Sequence, residues 1–333
     1  MLKLSSLVAV AIVLTTSVAF ADVDWSSLPY TPISTYEAVT SNGPSAYSGG
    51  FPVKFIGVVL NNTEDYLDPT PAFDSGVHLF NLGGQAQIYV QAIPGYGVAG
   101  DFGGVGCWIG QNYGNMPWNA DPSFSYTNAQ WTAELGRLGF YGGDGVTHPI
   151  RAGDLVEIDA RMGLEYHGVM NVNEAHSTNP ANNFDVVVLQ RNYGLPTPTL
   201  LSLSALKNAD NSFIFDANRQ TGGERYQGTL IDLQDVWVTS ATSWASDSDI
   251  TITDGLRTFD VHLGLNPSFD GTELFAAGEH FNVVGILDQA STNGMDGYHL
   301  LAMNAGDFSA VPEPATLTLL AFGGLTVIRR QRA

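Results

Sequence analysis

Short β-rich segments, each bounded by glycine or asparagine, recur along most of this chain and limit its fold more than any other feature. Residues 51–60 are one such run, and residues 77–80 and 86–93 flank a Gly-Gly pair as a predicted hairpin. Apolar and polar side chains alternate in these segments, which places the apolar ones on one face of a strand. The sequence therefore predicts an all-β fold.

The series of strands occurs twice. In residues 51–193, three strands precede a capping box at residues 127–130, a short amphipathic helix and further strands. Residues 223–309 repeat the strands, with a short connection in place of the helix. The order β-β-β-α-β-β is that of an OB-type barrel. We predict two tandem OB-like β-barrels with one short helix in the first, joined by a linker over residues 194–222 and preceded by an extended leader over residues 22–50.

The N-terminus has the three parts of a secretory signal peptide. Lys3 provides the basic region, residues 7–14 the apolar core, and Ala19 and Ala21 a small-x-small cleavage site. An uncleaved anchor helix is the alternative, but the apolar core is short for one. We expect signal peptidase to remove residues 1–21.

The C-terminus also has the pattern of a targeting signal. It consists of the motif Pro312, Glu313 and Pro314, an apolar run over residues 315–328, and a basic cluster of Arg329, Arg330 and Arg332. As a helix the run would measure about 21 Å, against a hydrocarbon core of about 30 Å. This length disfavours the alternative of a plain permanent membrane anchor.

The order of these three parts, a motif, a short apolar helix and arginines, resembles the PEP-CTERM sorting signal over residues 311–333. In that family an exosortase recognises the motif and removes the tail, and the protein reaches the surface or the extracellular polysaccharide of certain Gram-negative bacteria. The resemblance implies an exported protein located at the cell surface or outside the cell. It also implies exosortase as a processing partner and transient membrane insertion through the C-terminal sorting helix.

A second resemblance lies at the start of the second half. Residues 195–198 and 224–238 resemble the OB-like region of secreted bacterial nucleases. In those enzymes the OB region is an accessory, and catalysis belongs to a separate two-layer α/β phosphodiesterase domain. The resemblance therefore implies a fold for the second half and transfers no catalytic residue.

The charge balance excludes one class of partner. The chain has 13 Lys and Arg against 33 Asp and Glu, a formal net charge of -20. Nucleic acids and anionic membrane surfaces are bound through clustered basic residues, so we expect neither as a general partner.

Cys107 is the single cysteine, so an intramolecular disulfide is excluded. A single cysteine of this kind is typically a small buried apolar side chain.

Motifs for catalysis are missing. The sequence contains no H-E-x-x-H, G-x-S-x-G, P-loop or C-x-x-C pattern, and no EF-hand loop. Glu165, His167 and His176 could converge across a β-ribbon to bind a divalent cation. Their spacing matches no metal motif, so we favour a structural role, predict no catalytic residue and expect no other cofactor.

The stretch from residue 96 to residue 141 is unusually aromatic, with ten aromatic side chains in 46 residues. Trp108, Tyr113 and Trp118 lie in it among glycine and asparagine, outside any periodic apolar pattern. Aromatic faces beside amides suit sugar rings, so these three residues are ligand-binding candidates. The alternative is that the rings bury themselves in the core of a large loop.

Three functional classes remain open. The first is a non-catalytic exported surface or matrix protein that binds a glycan, such as an extracellular polysaccharide, or another exported protein. The second is a secreted metal-assisted hydrolase that uses residues 165–176. The third is a purely structural matrix component. An open aromatic cleft would favour the first class, and convergent carboxylates and imidazoles would favour the second.

Overall fold

The computed structural model describes residues 23–74, 80–239, 244–271 and 273–311. The signal peptide with Ala19 and Ala21 lies outside these ranges, as do the sorting motif and the basic cluster. Three of the four residues of the predicted strand over 77–80 also lie outside them, so that hairpin is not tested.

A seven-stranded sheet forms the first half. Its strands are β1 (Val53–Val59), β2 (Gln85–Gln91), β3 (Gly104–Gly110), β4 (Leu155–Ala160), β5 (Gly163–Tyr166), β6 (Val169–Asn173) and β7 (Phe184–Gln190). They lie in the order β5-β6-β3-β2-β1-β4-β7, with β3 and β6 parallel and the other neighbours antiparallel. The predicted β-rich first half is therefore confirmed.

Alternation gives this sheet two different faces. On β2 the side chains of Ala86, Ile88 and Val90 enter the core, and on β3 Cys107 does the same. The thiol is fully buried, and this burial raises its pKa. The alternate residues of both strands point to the opposite face, where they form the site described below.

The helix predicted from the capping box is present. Helix α2 covers Asn128–Leu138, after a shorter helix α1 (Ile33–Tyr36), and α3 covers Gly222–Tyr226. The Thr127 hydroxyl accepts a hydrogen bond from Gln130 N, and the Gln130 side chain accepts one from Thr127 N. The apolar stripe of α2 is buried, as its spacing predicts.

The leader differs from the expectation of extended chain. Within residues 22–50, helix α1 buries Ile33 and Tyr36 in the core of the first half. No side chain caps α1 locally. Instead the Asp101 carboxylate accepts hydrogen bonds from the backbone N–H groups of Ile33 and Ser34, at 2.8 and 3.0 Å. A distant residue thus replaces the local cap, which the sequence pattern could not show.

The second half contains a closed five-stranded barrel. Its sheet consists of β8 (Thr199–Leu201), β9 (Leu230–Val238), β10 (Ser248–Thr253), β11 (Thr258–Leu263), β12 (Phe281–Gln289), β13 (Tyr298–Ala302) and β14 (Phe308–Ala310). The ring runs β9-β10-β11-β13-β12 and closes because β12 also pairs with β9. Strands β11 and β13 are parallel. One of the two predicted barrels is therefore confirmed.

The second predicted barrel is not shown. In the first half, β5 and β7 are the two edges of the sheet and do not pair with each other among the described strands. The ring is interrupted between β4, which pairs with β1 and β7, and β5, which pairs with β6, because Arg161 and Met162 belong to neither strand. The linker also differs from a plain connection, since its strand β8 pairs with β9.

The two halves pack on each other through apolar side chains. The shared cluster contains Leu60 and Tyr89 from the first half and Leu230, Ile286, Leu301 and Met303 from the second. Backbone hydrogen bonds join the halves as well, from Gly104 N to Gln227 O at 3.1 Å and from Ser291 N to His167 O at 2.8 Å. No helix within the described ranges combines the length and apolarity that a membrane span requires.

Candidate functional site

A cleft of about 430 Å³ lies where the two halves meet. The first half supplies the floor of the cleft from β2, β3 and β6. It also supplies one wall from the loops after β3 and β6, which carry Trp118 and His176. The second half supplies the opposite wall. The polar and aromatic residues that line it are Tyr66, Phe80, Gln85, Gln87, Tyr89, Trp108, Trp118, Tyr166, His167, Asn171, Asn173, His176, Asp288, Gln289 and His299.

The cleft floor follows from strand alternation. Gln85, Gln87 and Tyr89 occupy every second position of β2, and Gln87 lies directly opposite Trp108 of β3. At Gly106 an added Cβ would lie 2.7 Å from the Asn171 amide oxygen and 3.0 Å from the Gln87 amide nitrogen. The missing side chain therefore leaves room for two amides on the floor.

One end of the cleft is an aromatic cluster around His176. The His176 ring centroid lies 5.5 Å from that of Trp108, 5.6 Å from that of Tyr113 and 5.7 Å from that of Trp118. Burial lowers the pKa of His176, so its ring is mainly neutral at pH 7. The Trp118 side chain is 65 % exposed and presents its ring to solvent.

The backbone is strained on this wall of the cleft. His167, Ala175 and His176 have φ angles of 53°, 52° and 50°, in the left-handed region that side chains with a Cβ rarely adopt. Such conformations cost on the order of 1 kcal/mol or more each and cluster at functional sites. The φ of His167 belongs to the two-residue turn between β5 and β6, whereas Ala175 and His176 lie in the loop after β6, beside the aromatic cluster.

Tyr113 lies behind the cleft wall and does not line it, in contrast to its prediction as a ligand contact. It is fully buried, and its hydroxyl donates to Glu174 Oε2 at 3.2 Å, beside the Tyr126 hydroxyl at 2.9 Å. Burial, with Glu134 nearby, raises the pKa of Glu174 to about 8. Tyr113 therefore supports the ring of His176, whereas Trp108 and Trp118 both line the cleft.

The candidate metal ligands are not brought together. His167 and His176 line the cleft, but the exposed Glu165 does not, because it alternates with Tyr166 on β5. The part of the chain that the structure describes contains no group of three His, Cys, Asp or Glu residues arranged to bind a metal ion. The structure therefore does not bring Glu165, His167 and His176 together as one ligand set, and a bound divalent cation stays a prediction.

Asp288 and His299 form part of the opposite wall, and the sequence analysis missed both. They face each other across β12 and β13, and the Asp288 Oδ2 to His299 Nε2 distance is 3.7 Å. Alternation places them on the outer face of the barrel, next to the buried Leu287 and Leu300. An outer position is typical of a solvated residue, and only the packing of the two halves turns it toward a cleft.

Comparison with known families identifies the tail. Residues 310–333 match the PEP-CTERM protein-sorting motif, so the resemblance seen in the sequence is confirmed. The motif suggests an exported protein that is sorted by an exosortase. No curated protein sequence matches this chain. The resemblance of residues 195–238 to secreted nucleases is therefore not supported by any relative.

Proposed function

We propose that this chain is a non-catalytic surface or matrix protein that, after export and exosortase processing, binds a glycan in the cleft between its halves. The observation that carries the proposal is the exposed ring of Trp118 in a concave site beside Trp108 and His176. The proposal includes transient membrane insertion of residues 315–328 before the tail is removed.

The chemistry of the cleft suits a sugar ring. A pyranose presents C–H groups that pack on an aromatic face and hydroxyls that exchange hydrogen bonds with amides. Gln85, Gln87 and Asn171 provide amides, and the Trp108 indole N–H donates to Gln85 Oε1 at 3.3 Å. None of the described residues lining the cleft is Lys or Arg, so the site offers no permanently charged partner for phosphate or sulfate.

The cleft favours a glycan over a second exported protein. Protein interfaces of ordinary size bury about 800 Å² on each partner and are rather flat, whereas small ligands occupy concave pockets of about 300–1,000 Å³. The volume of about 430 Å³ falls in the second range. A metal-assisted hydrolase has no assembled ligand group within the described ranges to support it.

We also infer that the first half is an open variant of the barrel seen in the second. Only Arg161 and Met162 separate β4 from β5, so the two can be counted as one bent strand. The strand order β5-β6-β3-β2-β1-β4 then follows the order of the barrel. The parallel pair β3 and β6 corresponds to the parallel pair β11 and β13. In OB-type barrels one sheet face carries the ligand, and here that face is the cleft floor.

Calorimetric titration with neutral β-linked oligosaccharides, beginning with cellotetraose, tests the proposal. Trp118→Ala should weaken binding at least tenfold, while the melting temperature changes little because the ring is mostly exposed. Trp237→Ala is the matched control, since Trp237 packs on His280 away from the cleft. Absence of binding to every glycan tested, or equal losses in both variants, would contradict the proposal.

A further inference from the structure

We infer that the cleft selects a sugar that carries a free amino group, with the ammonium bound at Asp288. This inference rests on the proposed glycan-binding function and specifies its ligand. Among the described residues that line the cleft, Asp288 is the single carboxylate, and no lining Lys or Arg opposes it. A protonated amine is the sugar substituent that such a wall attracts most strongly.

Asp288 lies in a partly desolvated position, which strengthens its attraction for a cation. Its side chain is 14 % exposed, at the base of the second-half wall. His299 Nδ1 lies 3.2 Å from the Gly297 carbonyl oxygen, which accepts a hydrogen bond from it. Its Nε2 lies 3.7 Å from the Asp288 carboxylate, beyond hydrogen-bond distance. The carboxylate therefore keeps acceptor capacity for a ligand.

Two phenol rings complete this end of the cleft. Tyr66 and Tyr89 line it, with ring centroids 6.5 Å apart, and burial followed by the charge of Asp288 raises the pKa of both hydroxyls. The Tyr89 hydroxyl is buried and interacts with the Asp288 side chain. A carboxylate flanked by aromatic rings is a common setting for an ammonium group.

The whole chain supports this preference. Its formal net charge of -20 raises the local concentration of cationic ligands and repels sugars that carry carboxylates or sulfates. The aromatic end at Trp118 supplies packing that does not depend on charge. The two ends of the cleft therefore have separate roles, ring packing at one end and amine recognition at the other.

Titration of the exported protein with two matched tetrasaccharides tests the inference. Cellotetraose and the β-1,4-linked tetramer of glucosamine share a backbone and differ in the amino groups. At pH 7 and low salt we expect the wild type to bind the glucosamine tetramer at least tenfold more tightly. Asp288→Asn should remove this preference, measured as the ratio of the two affinities in that variant. Asp260→Asn, the same charge change on an exposed residue of β11, should keep the preference.

Equal affinities of the wild type for the two tetrasaccharides would overturn the inference and leave glycan binding intact. A preference that survives in Asp288→Asn would also overturn it, because the amine would then bind elsewhere. Failure of both sugars to bind would instead contradict the proposed function itself. Melting curves of each variant establish that the fold is retained.

Discussion

Glu37 directly follows helix α1 and lies in an environment that disfavours a charged carboxylate. It is buried, and its Oε2 accepts one hydrogen bond from Met170 N at 3.2 Å. Its Oε1 has no partner among the described residues. Burial raises the pKa of Glu37 to about 8, and the nearby Arg219 only partly opposes this shift. The protonated form is therefore favoured in the folded state at neutral pH.

This shift predicts that the protein loses stability as pH rises. Between the ordinary pKa of 4.5 and the folded value of about 8, the unfolded chain releases a proton that the folded chain retains. The free energy of unfolding therefore falls with pH across that window. Glu174 and Glu224, with pKa values raised to about 8 and about 7, act in the same direction. Calorimetry should give a higher melting temperature at pH 5 than at pH 8.

Glu37→Gln should reduce the loss of stability between pH 5 and pH 8, because the amide keeps a hydrogen-bond acceptor and has no charge to bury. The exposed Glu165→Gln is the control and should show the same dependence on pH as the wild type. An identical drop from pH 5 to pH 8 in Glu37→Gln and the wild type would show that Glu37 does not contribute.

Single residues of the site were predictable where their surroundings in sequence are informative. Trp108 and Trp118 differ from core aromatics because glycine and asparagine surround them, and both line the cleft. Tyr113 has the same surroundings, but its hydroxyl meets the buried Glu174, 61 residues away in sequence. Asp288 belongs to the site only through packing between the halves. Local sequence carries no information on either contact.

At the scale of elements, the approach of β3 to the turn before β9 fixes how the halves meet. Gly104 and Gly228 face each other so closely that a Cβ on Gly104 would lie 1.8 Å from the Gly228 carbonyl oxygen. Gly228 itself has a φ of 70°. Glycine is therefore required on both sides of this contact.

Gly104→Ala should separate β3 from this turn, lower the melting temperature by several degrees and weaken glycan binding. Gly50→Ala is the matched control, because a Cβ there meets no atom within 4 Å. Thermal melts and titration with cellotetraose measure both effects. Wild-type stability and affinity in Gly104→Ala would contradict the close contact between the halves.

Elements were predictable where they depend on neighbours in sequence. The capping box of α2 and the alternation of β2 involve residues a few positions apart, and both are found. Helix α1 depends on Asp101, which lies 68 residues from Ile33. Whether the first sheet closes depends on the interruption at Arg161 and Met162 between β4 and β5, which pair with different strands. The pairing of distant strands cannot be read from a pattern of alternation.

At the scale of the whole molecule, the sorting signal and the cleft are separate parts. The signal occupies residues 310–333, and every residue that lines the cleft precedes residue 300. Replacing Pro312, Glu313 and Pro314 by alanine should therefore leave the tail uncut without changing glycan affinity. The intact mass of the protein from the producing cells measures the cut, and titration measures the affinity. Normal removal of the altered tail would contradict recognition by exosortase.

The central claim is that the cleft between the two halves holds a sugar ring. A crystal structure of the exported protein with cellotetraose tests it most directly, because it locates the ligand without reference to any variant. We predict a pyranose ring packed within about 4 Å of the Trp118 indole, with hydroxyls bound to amides of the cleft floor. A sugar bound elsewhere, such as beside the stacked Trp237 and His280, with the cleft occupied only by water, would contradict the account.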